Sequence, residues 1–319
     1  MSCKRESLYY IIAGLELCVD KDLMYADVNS EQRCRLASFK PFQRDGASKP
    51  TPDFSASLEV KSSYGDLIAR TKGDGITLLH SFEFSDIKAI CHFYRYATNK
   101  GNNYLLTIED HDSIIAEFDY DTLHDKATCN TFSDTVTESY IFSAAIRFGL
   151  WFTLGIAAAK HCVAAVHSST IVHGGQAVMF LGESGTGKST HTRLWRENIE
   201  GATLLNDDSP FIGIVNGKVM VYGSPWSGKT PCYKDESYPL RAIVRLSQAP
   251  HNKIRSTKGI AAIGALLPSL PPAFAYDPAL KDCMFEILNK VLSTTELYHL
   301  ECLPNAEAAE VAHKTLFEL

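Results

Sequence analysis

The spacing of apolar and polar residues changes character near residue 138. Before it, FSASLEV (54–60) alternates apolar with polar positions, as a strand with one buried face must. GITLLHSFEF (75–84), YLLTIED (104–110) and SIIAEFDY (113–120) are β-branched or aromatic runs that predict further strands. His111-Asp112 predicts a short, hairpin-like link between the last two. PFQRDGASKPTPDF (41–54) is polar and carries three prolines, so it predicts a loop. No nucleotide or metal motif falls in this half. The expectation for residues 1–135 is a β-rich accessory or partner-binding domain.

From Glu138 a long apolar helix is predicted, running to Lys160, and short apolar runs punctuated by glycine follow, VAAVHSSTIVHGG and QAVMFLG. STHTRLWREN (189–198) predicts a helix of two to three turns. ATLLND (202–207), PFIGIV (210–215) and KVMVYG (218–223) predict strands, with Asn216-Gly217 as the hairpin turn between the last two. Asp277-Pro278 has the pattern of an N-cap followed by a first-turn proline, for a helix to about Ser293, and Pro304-Asn305 opens a last one. Alternating strands and helices make residues 136–319 an α/β domain. No internal repeat or low-complexity tract interrupts it.

Composition narrows the classes. In 319 residues, 45% are hydrophobic and 21% charged, as expected of a chain that buries an ordinary core. The net charge of -6 argues against a nucleic-acid partner, whose phosphates repel an acidic surface. The nine cysteines form no C-x-x-C pair, which reads as reduced thiols in a cytoplasmic protein. MSCKRESLYYIIAGLEL has only a short apolar patch, without the longer core and cleavage site of a signal peptide. IFSAAIRFGLWFTLGIAAA (141–159) is long enough to span a bilayer. Arg147 inside it would cost about 2.5–3.5 kcal/mol at mid-membrane, so a buried helix is expected instead.

The chemistry-bearing pattern is Gly182-Glu183-Ser184-Gly185-Thr186-Gly187-Lys188-Ser189, which satisfies G-x-x-x-x-G-K-[ST]. An apolar strand, Val178 to Leu181, leads in, and a helix-compatible segment starting Ser189-Thr190 follows. Glycines let backbone N–H groups converge on phosphate oxygens, and the helix adds its N-terminal partial charge. Lys188 can reach the β- and γ-phosphates and the Ser189 hydroxyl can bind Mg²⁺. One short helix fits between Lys188 and Asp207-Asp208, so the strand ending there can share the loop's sheet. Two adjacent carboxylates offer a metal ligand and an acceptor for a hydroxyl proton.

GSPWSGKT (223–230) is a second glycine–lysine turn that lacks the first glycine of a complete phosphate loop. It can present Lys229, Ser227 and backbone N–H groups to a phosphate or acceptor, with Trp226 read as a packing residue. His167 and His173 flank the strand before the loop. Arg241 and Arg245 in PLRAIVRL are candidates for charge stabilisation. Asn252-Lys253 lacks the aspartate two residues on that a guanine-reading Asn-Lys-x-Asp requires, Arg255 standing there, which argues against a GTPase.

Taken in order, LGESGTGKST, LLNDD and GSPWSGK resemble the HPr kinase/phosphorylase and phosphoenolpyruvate carboxykinase-like superfamily, in particular its smaller bacterial HPr-kinase-like members. The resemblance covers about residues 155–260. It implies an α/β, PEP carboxykinase-like P-loop kinase core with ATP and Mg²⁺ as cofactors. The implied reaction transfers a phosphoryl group to a serine-like hydroxyl of a protein, peptide or small molecule. By position it places nucleotide phosphates on Gly182, Ser184, Gly185, Thr186, Gly187, Lys188, Ser189 and Thr190. Ser189 and Asp208 would hold the metal, Asp207 and Asp208 would share base and metal duties, and Lys229 would touch the transferring phosphate. A homo-oligomer is compatible with the family. GSPWSGK stands where the HPr enzyme has its glutamate-bearing signature, and the chain lacks the length and the Lys/His manganese pair of the decarboxylating carboxykinase. A non-catalytic ATP-binding regulator or scaffold is the alternative expectation.

Overall fold

The β-branched and aromatic runs up to Phe132 fold largely into one sheet. The computed structural model describes residues 6–28, 31–61, 75–110, 113–132, 137, 139–228 and 230–318. Contacts divide the chain into two units, Met1–Ala157 and Ala158–Leu319. The strands of the first are β1 (Ser7–Ile12), β2 (Leu15–Asp20), β3 (Tyr25–Val28), β4 (Glu31–Cys34), β5 (Gln43–Arg44), β6 (Phe54–Lys61), β7 (Ile76–Phe84), β8 (Ala89–Thr98), β9 (Gly101–Asp110), β10 (Ser113–Asp121) and β11 (Lys126–Phe132). Nine of them form a sheet in the order β5-β1-β2-β6-β11-β10-β9-β8-β7, and β3 pairs with β4 as a separate hairpin. From β7 to β11 the chain is an antiparallel meander, whereas β6 lies parallel to both its neighbours. The predicted loop at 41–54 starts with a 3₁₀ turn, Ala37–Phe42, that buries Phe39 and Phe42. The link at His111-Asp112 lies outside the described residues.

The apolar segment is a helix, Tyr140–Lys160, and 72% of its most apolar window is buried. Its aromatic side chains interdigitate with those of the strands: Phe148 stacks on Phe84 at 4.5 Å between ring centroids, and Phe152 meets Phe93 edge-on at 4.8 Å. Gly149 lies directly on the Phe118 ring, where a Cβ would come within 2.0 Å of it. Burial on this scale accounts for a helix apolar on every side. Arg147, the residue that argued against a bilayer, reaches Asp86 at 3.5 Å.

The second unit is built on β12 (Val163–Ala165), β13 (Ser168–His173), β14 (Gln176–Leu181), β15 (Thr203–Asp208), β16 (Phe211–Val215), β17 (Lys218–Tyr222), β18 (Ser237–Gln248), β19 (Lys253–Thr257) and β20 (Glu296–Cys302). The long β18 is the hinge of its topology. Its start pairs with β17, the end of a run β12-β16-β17, and the rest lies parallel to β14 on one side and β20 on the other. Beyond β14 lie β13 and then β15, both antiparallel to their neighbours, and β19 closes the far edge on β20. Asn216 and Gly217 both have positive φ, 50° and 76°, as the predicted hairpin turn needs.

Helices Lys188–Asn198 and Ala306–Phe317 cover one face of the core strands. Leu194 and Trp195 from the first, with Ala309, Ala312 and Leu316 from the second, bury against Ile171, Phe180, Val244 and Leu300. Asp277 caps helix Pro278–Thr294 by accepting from the N–H groups of Ala279 and Leu280, and Asn305 caps the last helix through Ala308. These two starts are where the sequence placed them.

Candidate functional site

At the end of β14 the chain leaves a strand buried from Ala177 to Leu181 and turns through Gly182–Gly187 into the helix that starts at Lys188. The turn is tight. Thr186 N–H donates to the Glu183 carbonyl at 3.1 Å, and a Cβ on Gly182 would approach the Thr186 Cβ to 3.0 Å. Gly187, the residue before the helix, has φ of 105°, which side chains with a Cβ rarely adopt. The N–H groups of Ser184, Gly185 and Gly187 have no partner among the described residues. Unpaired donors at the start of a helix form a cradle for an anion.

Lys188 folds back over this cradle. Its ammonium donates to the carbonyls of Gly182 at 2.7 Å and Glu183 at 3.3 Å, and to His167 Nε2 at 2.9 Å. Burial pulls its pKa below the usual lysine value, while Asp208 and Asp207 act in the opposite direction and Arg245 adds to the depression. An ammonium only donates, so His167 Nε2 is the acceptor and Nδ1 carries the hydrogen. That Nδ1 lies 3.3 Å from Asp208 Oδ1.

The aspartates arrive through strand pairing. β15 runs antiparallel to β13, the neighbour of β14, with Asp207 opposite Ser169 and Asp208 opposite Ser168. The two carboxylates face different partners. Ser189 Oγ donates to Asp207 Oδ1 at 3.0 Å, and Asp207 is buried. Asp208 is the more accessible and meets His167 instead. Its φ of 134° is strained for a residue with a Cβ, and its bridge to Ser227 helps hold it there. The sequence reading grouped Ser189 with Asp208 as metal residues; the carboxylate on Ser189 is that of Asp207.

The second glycine–lysine segment closes over the aspartate turn. Gly228 N–H and Ser227 Oγ both donate to the Asp207 carbonyl, the latter at 3.1 Å. A Cβ on Gly228 would come within 3.2 Å of that same oxygen. Two residues that the motif reading missed make the join. Asn206, fully buried, donates from Nδ2 to the carbonyls of Trp226 at 3.0 Å and Ser224 at 3.3 Å, and accepts from Ser209 N–H at 2.9 Å. Ser224 Oγ, also fully buried, donates to the Ser209 carbonyl at 2.6 Å. The available signal was a polar Asn206 ending the apolar run of a buried strand, where an amide must find partners. Lys229 itself lies outside the described residues.

The other candidates separate. His173 sits at the end of β13 away from the loop, with Nε2 3.1 Å from His313 Nε2 and its ring against Trp195. Burial, then His313, lowers its pKa. Arg241 lies toward the start of β18, whereas Arg245 is in register with Leu181, beside the loop. Asn252 joins Asn305 and Glu307 and accepts from Leu303 N–H, a structural tie between two chain turns. Trp226 is buried against Phe211. On the face of the sheet that carries the Lys188–Asn198 helix, a cavity of about 570 Å³ adjoins Thr190, lined by Leu194, Leu246, Ala249, Leu303 and Pro304.

Among the described residues no three His, Cys, Asp or Glu side chains converge as a metal cluster. A hard divalent cation at a nucleotide site needs fewer, because phosphates and waters supply the remaining oxygens. The residues present fit that pattern. Asp207 Oδ2 is a buried carboxylate oxygen without a hydrogen-bond partner among the described residues, next to the oxygen bound by the Ser189 hydroxyl.

No family model matches the chain and no curated protein matches its sequence. Among solved structures, the Hpr(Ser) kinase/phosphatase from Coxiella burnetii is similar over 48% of this chain and 93% of that one, with a TM-score of 0.29 and 11% identity. That likeness is weak, and the functional reading rests on the geometry of the site.

Proposed function

We propose that the chain is an ATP-dependent phosphotransferase whose acceptor is a hydroxyl. The observation that supports this best is the divided aspartate pair under the loop: Asp207 on Ser189, with one carboxylate oxygen unpartnered, and Asp208 on the accessible side against His167. A switch protein needs the first carboxylate to sense a metal–nucleotide complex. The second, with a histidine to orient it, suits proton transfer.

In this reading Lys188 exchanges the carbonyls of Gly182 and Glu183 for β- and γ-phosphate oxygens, and loop N–H groups hold the chain of phosphates. Ser189 and Asp207 would hold magnesium, which offsets the negative charge of the β- and γ-phosphates. Asp208 takes the acceptor's proton. The acceptor oxygen forms its bond to the γ-phosphorus as the bond to the β,γ-bridging oxygen breaks, and ADP leaves with that electron pair. His167 N–H steadies the Asp208 carboxylate in the position to receive the proton. Lys229 is proposed to face the transferring phosphate, because its neighbours Ser227 and Gly228 are fastened to Asp207. The apolar cavity beside Thr190 suits the nucleotide base.

The test is transfer from γ-labelled ATP to free serine, serine peptides and lysate, with Asp208→Asn as control. Label on an acceptor that disappears in the variant supports the reading. A Mg-ATP-dependent rise in melting temperature with no label on any acceptor would replace it by an ATP-binding regulator.

A further inference from the structure

Away from the phosphate loop, a thiol and an amine meet that the phosphotransfer reading does not use. Helix Tyr140–Lys160 ends in a tight turn, where His161 N–H donates to the Ala158 carbonyl at 2.9 Å and Cys162 N–H to that of Ala159 at 3.1 Å. Cys162 has φ of 55°, in the left-handed region that residues with a Cβ rarely adopt, and β12 starts at the next residue. Helix Pro278–Thr294 packs on β12. It buries Ile287, Leu288 and Val291, which leaves Glu286 and Lys290 on its accessible side.

Lys290 Nζ donates to Cys162 Sγ at 3.2 Å and to Glu286 Oε1 at 2.7 Å. The second contact is an i, i+4 pair, formed because a helical side chain leans back over the preceding turn. An ammonium only donates, so the sulfur is the acceptor and the nitrogen lies directly against it. Glu286 first, then Cys162, raise the Lys290 pKa, so the resting group is the ammonium and must give up a proton before it can react. The Glu286 carboxylate is in place to take that proton. Cys162 is partly exposed, and the side chains of Lys290 and Glu286 are 43% and 58% exposed, so a small oxidant reaches all three.

We propose that Cys162 and Lys290 form an oxidative crosslinking site, which a hydroperoxide converts into a reducible covalent link between Sγ and Nζ. The Cys162 sulfur attacks the outer peroxide oxygen, the O–O bond breaks, and the departing water or alcohol takes the thiol proton. Cys162 is then a sulfenic acid beside an amine. Lys290 passes one proton to Glu286, and its nitrogen lone pair attacks the sulfur. The S–O bond breaks as the S–N bond forms, and the oxygen leaves as water with a second hydrogen from the nitrogen. The product is a sulfenamide, two hydrogens lighter than the separate side chains, and an external thiol reverses it. The link ties the turn at the head of β12, the strand that leads to His167, to helix Pro278–Thr294 across 128 residues of chain. It is independent of nucleotide and of the kinase reading. Cys283, three residues before Glu286 on the same helix, is the thiol that could compete for the sulfenic acid. Burial first, then Glu286, Cys162 and Asp282, raise its pKa and hold it as the less nucleophilic thiol.

The test is non-reducing peptide mapping by mass spectrometry of the full chain treated with hydrogen peroxide, alongside Cys162→Ser and Lys290→Arg. The expected result is a joined pair of peptides carrying Cys162 and Lys290, two hydrogens lighter than their sum, that separates in dithiothreitol. Both variants lose it. Lys290→Arg keeps a cation beside the sulfur but has no amine to condense. Its Cys162 should therefore take several-fold more of a dimedone probe than the wild type, with an unchanged melting temperature to show the variant folded. A joined pair one oxygen heavier also supports the proposal, a second hydroperoxide having placed its oxygen between nitrogen and sulfur. A disulfide between Cys162 and Cys283 instead, or the same peptides joined in Lys290→Arg, overturns it. So does a Cys162 that is oxidised to its acids without any joined pair, or one left untouched at a dose that oxidises the exposed Cys34.

Discussion

Replacing Asn206 by alanine removes the side chain that ties the aspartate turn to the second glycine–lysine segment. Its buried hydrogen bonds go with it: donation to the carbonyls of Trp226, Ser224 and, at the long distance of 3.5 Å, Cys232, donation to the Ser224 hydroxyl at 3.2 Å, and acceptance from Ser209 N–H. Such bonds contribute about 1 kcal/mol each net, and about 1–3 kcal/mol when a buried group loses its partner, so the loss is roughly 2–5 kcal/mol. Set against typical stabilities of about 5–15 kcal/mol, that is a large fraction. Calorimetric or fluorescence melting should show a fall of about 5–15 °C, at a few degrees per kcal/mol for a domain of this size. Asn206→Asp keeps an oxygen toward Ser209 but sets a second, acceptor-only oxygen against the carbonyls of Trp226 and Ser224 in a fully buried site, and should melt no higher than alanine. Phosphoryl transfer should drop with the melting temperature, because Asp207 and Asp208 lose the segment that braces them. A fall of less than about 2 °C with transfer intact would refute the claim that Asn206 organises the site.

Three further outcomes follow from the same geometry. His191, on the buried side of the loop helix with Nε2 accepting from Trp195 Nε1–H at 3.1 Å, has its pKa pushed down to about 4 by burial, below its unfolded value near 6.5. The unfolded chain therefore binds the proton first. Stability is full above pH 6.5 and declines by about 3 kcal/mol as the pH falls toward 4; urea titrations across that window should show the decline, and His191→Gln should flatten it. Gly149→Val forces a side chain into the Phe118 ring and should cost at least about 1–3 kcal/mol in thermal unfolding of the first unit. Lys188→Ala should abolish the melting-temperature rise given by Mg-ATP, since it removes the ammonium that lies over the loop carbonyls of Gly182 and Glu183.

What could be read ahead was local. The glycine spacing around Gly182–Gly187, the Asn216-Gly217 turn and the Asp277 and Asn305 caps are short-range patterns, and the structure has each where the sequence put it. Strand β8 (Ala89–Thr98) went unread because His92, Tyr94 and Arg95 dilute its apolar positions, although Cys91 and Phe93 are fully buried. The insertion of β6 between β2 and β11 depends on pairing distant segments, which no local pattern announces. The same holds at the site. Asp207 and Asp208 were visible as a pair, but their division between Ser189 and His167 follows from the pairing of β15 with β13. Cys162 and Lys290 likewise meet only because helix Pro278–Thr294 packs on β12, across 128 residues of chain.

The central claim is that Asp208 receives the acceptor's proton while Asp207 serves the metal–nucleotide side. It is tested most directly by single-turnover transfer from γ-labelled ATP in wild type, Asp208→Asn and Asp207→Asn, with nucleotide affinity measured alongside. The account predicts that Asp208→Asn slows transfer by about 10²–10⁴-fold at nearly unchanged Mg-ATP affinity, and that Asp207→Asn weakens the magnesium dependence of binding itself. Transfer at the wild-type rate in Asp208→Asn, with Mg-ATP bound, would contradict it.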